Sequence, residues 1–338
     1  MPSETDFRQS ILSLPEQFTQ GLKLAENVRS VKDFSQIVIS GMGGSALPGE
    51  ILDTYQRSLT RNKNNAIMRI HRNRSYKLPP EAFDDCLNII CSYSGNTEET
   101  VSSFQEALVN NLNIIAISSG GLVEKMALKN GVPHIKLPKP SKDFQPRMAV
   151  GYFFFALIQI LINERKLPDL TAEITDSAQK LNDKAEWLEK NGKEFSEKLH
   201  QKTPLIYSSN TFSSLAMIWK IKFNENTKIP AFFNVFPELN HNEFIGFTNP
   251  QTDYFIIMLR DPEDDPRNLK RYDLTAKFLA EKNISGSAIN LSSENIFFKI
   301  FSNIILADWT SYYLALHYQT DPNAVPMIEE FKKELNTF

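Results

Sequence analysis

Cys86-Leu-Asn-Ile-Ile-Cys-Ser-Tyr-Ser-Gly-Asn-Thr-Glu-Glu-Thr100 is the stretch that decides the fold. Its apolar start, Cys86–Cys91, reads as a strand. A polar turn over Ser92–Thr97 follows, and then a helix over residues 98–110 that opens on Glu98 and Glu99. Four hydroxyl residues and Gly95 at that helix start form a hydrogen-bonding cup for a phosphate dianion. No fixed positive charge is needed where hydroxyls and amides converge with the helix dipole. The plainer reading is a capping box with Asn96 or Thr97 as the cap.

The same strand–turn–helix pattern stands upstream. Gln36-Ile-Val-Ile-Ser40 reads as a strand, Gly41–Ser45 as a glycine-rich turn, and a helix runs on from Ala46. Glycines there let the backbone turn sharply and approach a ligand, and the amides of the next helix favour an anion. Gly41, Gly43 and Gly44 are followed by Pro48 and Gly49, which is not the G-x-G-x-x-G of a dinucleotide fold, and no Walker lysine follows. Taken alone the turn would be a helix cap. Two such cups at neighbouring strand ends of one sheet weaken that reading.

Further out, an amphipathic helix is expected over residues 4–29. Strands are expected at Ile67–Ile70, Asn113–Ile117 and His134–Leu137, with a short helix over Gly121–Asn130. Short strands alternating with helices indicate βαβ units and a parallel sheet. A proline–lysine cluster (Leu137–Lys142) closes this block. The apolar helix Met148–Asn163 and a charged helical stretch over 168–200 follow. The pattern then restarts, with strands at 204–208, 232–236, 254–259 and 287–291 and helices at 213–226, 267–282, 296–317 and 327–335. The expected architecture is α/β: two doubly wound parallel-sheet domains, flavodoxin-like sandwiches, joined by a helical connector. The domains fall at 1–153 and 201–338, with the connector at 154–200.

Composition excludes several classes. The chain has 338 residues, 23% of them charged and 41% hydrophobic, as in an ordinary globular protein. Its 37 Lys and Arg against 40 Asp and Glu leave a net charge of −3. That balance disfavours nucleic-acid binding by bulk charge and a polybasic membrane surface. The two cysteines, Cys86 and Cys91, point to opposite faces of one strand, so free buried thiols in a reducing cytoplasm are expected. No Cys-x-x-Cys pair suggests zinc, the N-terminus has no signal-peptide pattern, and the longest apolar run is too short to cross a bilayer. The expected location is cytoplasmic.

The residues carry a specific resemblance. Ser92–Thr100 resembles the phosphosugar-binding signature of the sugar isomerase (SIS) domain family, and Gly41–Ser45 is similar to that family's first loop. Four further motifs occur in order: Pro146-Arg-Met-Ala149, Asn224-Glu-Asn226, Pro237-Glu-Leu-Asn-His-Asn-Glu243 and Pro326-Met-Ile-Glu-Glu-Phe-Lys332. With them the chain resembles the bifunctional phosphoglucose/phosphomannose isomerases over nearly its whole length.

The resemblance implies two SIS-type domains and an aldose–ketose isomerase of glycolysis and gluconeogenesis. Glucose 6-phosphate and fructose 6-phosphate would interconvert through an enediol, with mannose 6-phosphate as a second candidate aldose. Neither metal nor cofactor is implied. The phosphate would sit on Ser45, Ser92, Ser94 and Thr97, beside the loop glycines Gly43 and Gly44. A carboxylate on a helix is ordinarily a solvated residue, but Glu225 matches the family's catalytic base. His241 titrates near neutrality and matches the family's ring-opening histidine, which comes from the neighbouring subunit. That implies a homodimer. Arg147 matches an active-site arginine able to face the enediolate oxygens. Lys332 matches the lysine that joins the histidine, with Lys333 adjacent. Seven residues before Lys332, where dual-specificity members carry Thr, stands Val325. Glu238 and Glu243 are placed either to orient His241 or to serve as caps and ion-pair partners. A different class, a non-catalytic SIS-domain sensor of sugar phosphates, would use the cup alone. A ketose-phosphate aminotransferase is disfavoured by the missing nucleophile domain.

Overall fold

The computed structural model describes residues 4–60 and 68–335. In chain order, α1 (Glu4–Leu12) and α2 (Glu16–Leu24) precede β1 (Gln36–Ser40), α3 (Leu47–Thr60), β2 (Arg69–Asn73) and β3 (Cys86–Ser92). Next come α4 (Glu98–Val109), β4 (Asn113–Ser118), α5 (Gly121–Asn130), β5 (His134–Lys136), α6 (Val150–Asn163), α7 (Thr171–Asp183) and α8 (Ala185–Leu199). The chain continues through β6 (Thr203–Ser209), α9 (Ser213–Lys222), β7 (Phe232–Phe236), α10 (Glu243–Gly246) and β8 (Tyr254–Arg260). It ends with α11 (Pro266–Glu281), β9 (Ser285–Asn290), α12 (Ile296–His317) and α13 (Pro326–Leu335). Two compact units result. One comprises Leu12–Asp183 with Glu294–Ile300; the other comprises the chain up to Ile11, Lys184–Ser293 and the part from Phe301 onward.

The sheet of the first unit is wholly parallel, in the order β2-β1-β3-β4-β5. The inner strands β1, β3 and β4 are buried along their full length. That is why Ile-Val-Ile and Ile-Ile runs fit there: both faces of the strand are covered by helices. One core joins Val38, Ile90, Phe104, Ile114 and Val123. Burial of one such Ile or Phe side chain contributes about 1.5–3 kcal/mol. The strand order changes direction at β1, whose neighbours are β2 on one side and β3 on the other. The crevice beyond the carboxyl ends of β1 and β3 is therefore the switch point at which open α/β sheets bind ligands. Ser40 of β1 lies beside Ile90 of β3, and Ser92 beside Ser118 of β4, so the turns after all three strands leave from one edge.

The second unit repeats the order on a smaller scale: β7-β6-β8-β9, again parallel. Its core gathers Tyr207, Phe236, Leu239, Ile256 and Tyr272. The turn after β8, Asp261-Pro-Glu-Asp-Asp265, carries four carboxylates at this sheet's own switch point.

Three expectations need correction. The single helix over 4–29 is two, α1 and α2, because Pro15 lacks the N–H a helix interior requires and the chain turns at Ser13–Leu14. The strand expected at 67–70 begins at Arg69 and reaches Asn73, and Ile67 lies outside the described residues. The helix expected over 213–226 ends at Lys222 and passes into a π-helical turn, Phe223–Thr227. Cys86 and Cys91 are free and buried, and burial pushes the Cys86 thiol up to about 12. Among the described residues no helix is long and apolar enough to cross a membrane.

Candidate active site

The first unit brings seven of the expected residues to its switch point. After β1, a tight turn over Gly43–Ala46 leads into α3, and Gly43 takes a left-handed φ of +51° that favours glycine. After β3, Ser92 Oγ lies 2.9 Å from Thr97 Oγ1 and accepts a hydrogen bond from the Gly95 amide at 3.1 Å. Ser94 is exposed, and its Oγ accepts from the Asn96 amide (3.2 Å). The two turns are tied together: the Tyr93 amide donates to Ser45 Oγ at 3.0 Å. Glu98 and Glu99 sit in the first turn of α4, where the helix dipole offsets their charge.

Arg147 lies in the tight turn Pro146–Met148 ahead of α6 and is 2% exposed. Its Nη1 donates to Gln145 Oε1 at 3.1 Å. The turn rests on the first loop, since a Cβ at Gly44 would stand within 3.0 Å of backbone atoms of Arg147 and Pro146. Gln17 of α2, itself buried, holds the other side. Its Nε2 donates to the Met148 carbonyl (2.8 Å), and its Oε1 accepts from the Tyr152 amide (3.2 Å). The arginine turn, two hydroxyl-bearing turns and two helix starts thus meet at one sheet edge. That set suits a phosphate ester with further oxygens along its chain.

The second unit carries the other three residues on three elements. Glu225 is half-buried in the middle of the π-helical turn after α9. Turns of this kind are rare and occur often at functional sites. His241 is exposed, at the end of a short turn over Glu238–Asn240, and its backbone amide donates to the Glu238 carbonyl. A cavity of about 270 Å³ opens beside it, walled chiefly by Phe244, Phe247, Phe278 and Leu279. Glu238 and Glu243 do not bond the imidazole. Glu238 accepts from Asn242 Nδ2, and Glu243 accepts from Tyr207 Oη and Asn234 Nδ2. Glu243 therefore ties the His241 segment to β6 and β7, while burial and that carboxylate hold the Tyr207 phenol far above its usual pKa. Lys332 and Lys333 lie exposed in the last turn of α13, a helix that buries none of its residues. Val325 stands at its start, where its carbonyl accepts from the amides of Ile328 and Glu329.

Several supporting residues escaped the sequence reading. Ser118-Ser-Gly-Gly121, after β4, forms a third turn at the same edge. The Ser119 amide and hydroxyl donate to the Tyr93 carbonyl, and the Leu122 amide donates to Asn96 Oδ1. Gly121 packs so closely on Ser94 and Asn96 that a Cβ would stand 2.5 Å from the Ser94 carbonyl oxygen. The paired glycines after an apolar strand were the available signal. Gln17 gave none, since its partners lie more than a hundred residues away.

Residues 188–335 match the family model described as the bacterial phospho-glucose isomerase C-terminal SIS domain. A bifunctional phosphoglucose/phosphomannose isomerase of Caldicellulosiruptor bescii is 37% identical, covering 97% of this chain and 98% of that protein. Another of the same name from Aquifex aeolicus is 30% identical, covering 97% of this chain and 98% of its own. Among solved structures, a hypothetical protein from Thermus thermophilus superposes with a TM-score of 0.73 at 16% identity, over 98% of this chain and 90% of that one. That likeness concerns the fold alone.

Proposed function

The chain belongs to the family of bifunctional phosphoglucose/phosphomannose isomerases, and on that premise we propose that it interconverts glucose 6-phosphate and fructose 6-phosphate, with mannose 6-phosphate as a further aldose. The observation that carries this reading is the pair of hydroxyl-bearing turns at the β1/β3 switch point with the Arg147 turn packed on the first of them. The phosphate is held by Ser45, Ser92, Ser94 and Thr97 and by the amides of the Gly43–Gly44 loop. Hydroxyls and amides release the ester again more readily than a cluster of fixed cations would.

The chemistry is a proton transfer between neighbouring carbons. Glu225 takes the proton from C2 of the open-chain aldose, and the electron pair moves into the C1–C2 bond as the carbonyl oxygen on C1 gains negative charge. Arg147 stabilises that oxyanion. The C2 hydroxyl proton passes to the C1 oxyanion, and the same carboxyl then returns its proton to C1 while the C2 oxygen becomes the ketone carbonyl. His241 and Lys332 serve the preceding step, passing a proton to the ring oxygen and removing one from the C1 hydroxyl. His241 reaches the reaction from a second copy of the chain, so the functional species is a homodimer.

A coupled assay for fructose 6-phosphate formed from each aldose tests the reading, together with exchange of the C2 hydrogen with solvent. Wild-type protein should consume aldose and exchange the label, and Glu225→Gln should lose both by about 10²–10⁴-fold, the range of one general base. Sugar-phosphate binding with no exchange in the wild type would instead mark a sensor.

A further inference from the structure

Glu225 is bracketed by anchors that converge on one turn of α12. Asn226 Nδ2 donates to Ser311 Oγ at 2.9 Å, and Thr227 Oγ1 donates to the Ser311 carbonyl at 2.9 Å. Ser311 Oγ in turn donates to the Asp308 carbonyl (3.0 Å). On the other side of Glu225, Lys222 Nζ forms an ion pair with Asp308 Oδ1 at 2.7 Å, and both side chains are 1% exposed. Lys228 closes the turn in a left-handed conformation, its Nζ donating to the carbonyls of Glu225, Asn226 and Asp321.

A π-helical turn has a wider ring and poorer packing along its axis than the α-helix it interrupts, so it persists where side chains outside it hold it. Here the holders are identifiable. A buried ion pair adds little net stability, because desolvation offsets the attraction; an apolar pair would join two helices as well. What Lys222–Asp308 supplies is direction. It fixes the angle at which α9 ends, and Ser311 then fixes where the next five residues go. Asn226 and Thr227 are spent on Ser311, which leaves Glu225 as the acidic group the turn presents.

We infer that Asp308 and Ser311 are positioning residues for the isomerisation. They aim the Glu225 carboxylate through Lys222 and through Asn226 and Thr227, and neither touches substrate. The inference rests on the isomerase reading above and adds residues that reading does not use. A displacement of about 1 Å at a reacting group can cost a hundredfold in rate, so the effect belongs in kcat. The phosphate turns lie in the other unit, and KM for fructose 6-phosphate should hold.

The experiment compares Ser311→Ala, Ser311→Thr and Thr310→Ala in the full chain. Thr310 is equally buried, but among the described residues its hydroxyl bonds only the Leu306 carbonyl of its own helix. Ser311→Ala should lower kcat at least tenfold with KM within twofold, Ser311→Thr should restore most of it, and Thr310→Ala should lower the unfolding midpoint without lowering kcat. Equal kcat losses in Ser311→Ala and Thr310→Ala, or none in the former, would overturn the inference. Should Ser311→Ala fail to fold, Thr227→Val removes the second bond to Ser311 at nearly constant volume and carries the same expectation. If wild-type protein turns over no sugar phosphate, the isomerase reading fails by itself. Crystal structures then decide the inference: an unchanged 223–227 turn in Ser311→Ala, or in Thr227→Val, overturns it, and a reset turn upholds it.

Discussion

Gly44 faces the backbone of Arg147 so closely that a Cβ on it would stand 2.7 Å from Arg147 Cα and 2.8 Å from Arg147 N. The glycine-rich turn and the arginine turn are thus one packed body, although about a hundred residues separate them. The guanidinium is placed by backbone contact as well as by its bond to Gln145.

Gly44→Ala should therefore damage both stability and rate. The obstructing atoms are backbone and cannot swing away, so the cost should be about 1–3 kcal/mol, as for other overpacked sites. Because Arg147 must shift, kcat should fall as well. Gly131→Ala is the control: its φ of +64° makes the change strained, but nothing lies within 4 Å of the new Cβ. It should cost about 1 kcal/mol and leave kcat/KM unchanged. Urea unfolding and steady-state kinetics read both.

The two cup serines should separate in stability while agreeing in affinity. Ser45 is buried and accepts the Tyr93 amide, so Ser45→Ala strands that donor at a cost of about 1–3 kcal/mol. Ser94 is exposed, and Ser94→Ala should stay within about 0.5 kcal/mol of wild type. If both hold the phosphate as proposed, each substitution removes a hydrogen bond to a charged group, and KM for fructose 6-phosphate should rise roughly 10- to 100-fold in both.

Val325→Thr should shift aldose preference. A hydroxyl at the start of α13 adds one neutral hydrogen-bonding group, a net gain of about 1 kcal/mol or roughly fivefold. The ratio of kcat/KM for mannose 6-phosphate to that for glucose 6-phosphate should rise by that factor. An unchanged ratio would remove Val325 from the specificity argument.

Acid should weaken the first unit through His134. Burial lowers this imidazole's pKa, with Glu124 opposing the shift and Lys136 adding to it, and its Nε2 lies 2.8 Å from Ser118 Oγ. Above the unfolded value of about 6.5 the ring is neutral in both states and contributes no pH dependence. As pH falls below that value, the unfolded chain binds the proton first, so stability drops. The urea midpoint of wild type should fall further from about pH 7.5 to about pH 5.5 than that of His134→Gln.

The fold was legible wherever burial on both faces writes itself as a continuous apolar run. Gln36–Ser40, Cys86–Ser92 and Asn113–Ser118 are inner strands of a parallel sheet, and no other arrangement covers both faces of such segments so simply. The turns after β1 and β3 were legible because glycine and hydroxyl residues cluster locally there. The helix break at Pro15 was also written locally, and the amphipathic pattern on either side masked it. The π-helical turn was not legible. Phe223-Asn-Glu-Asn-Thr227 has nothing in its composition to set a five-residue register; that comes from Asp308 and Ser311, more than eighty residues further on. The anchors of Glu243 on Tyr207 and Asn234 were hidden because they join a helix start to two neighbouring strands, a pairing that only the folded sheet brings together.

Both sheets share one strand order, yet the turns at their crevices differ in composition. Hydroxyls and amides line the first, whereas Asp261, Glu263, Asp264 and Asp265 stand at the second. Arg267 pairs with Asp265 at 2.7 Å, yet a turn this rich in carboxylates remains a poor seat for a doubly negative ester. Calorimetric titration with fructose 6-phosphate should therefore saturate at a stoichiometry of one per polypeptide: the architecture is doubled, and its capacity is not.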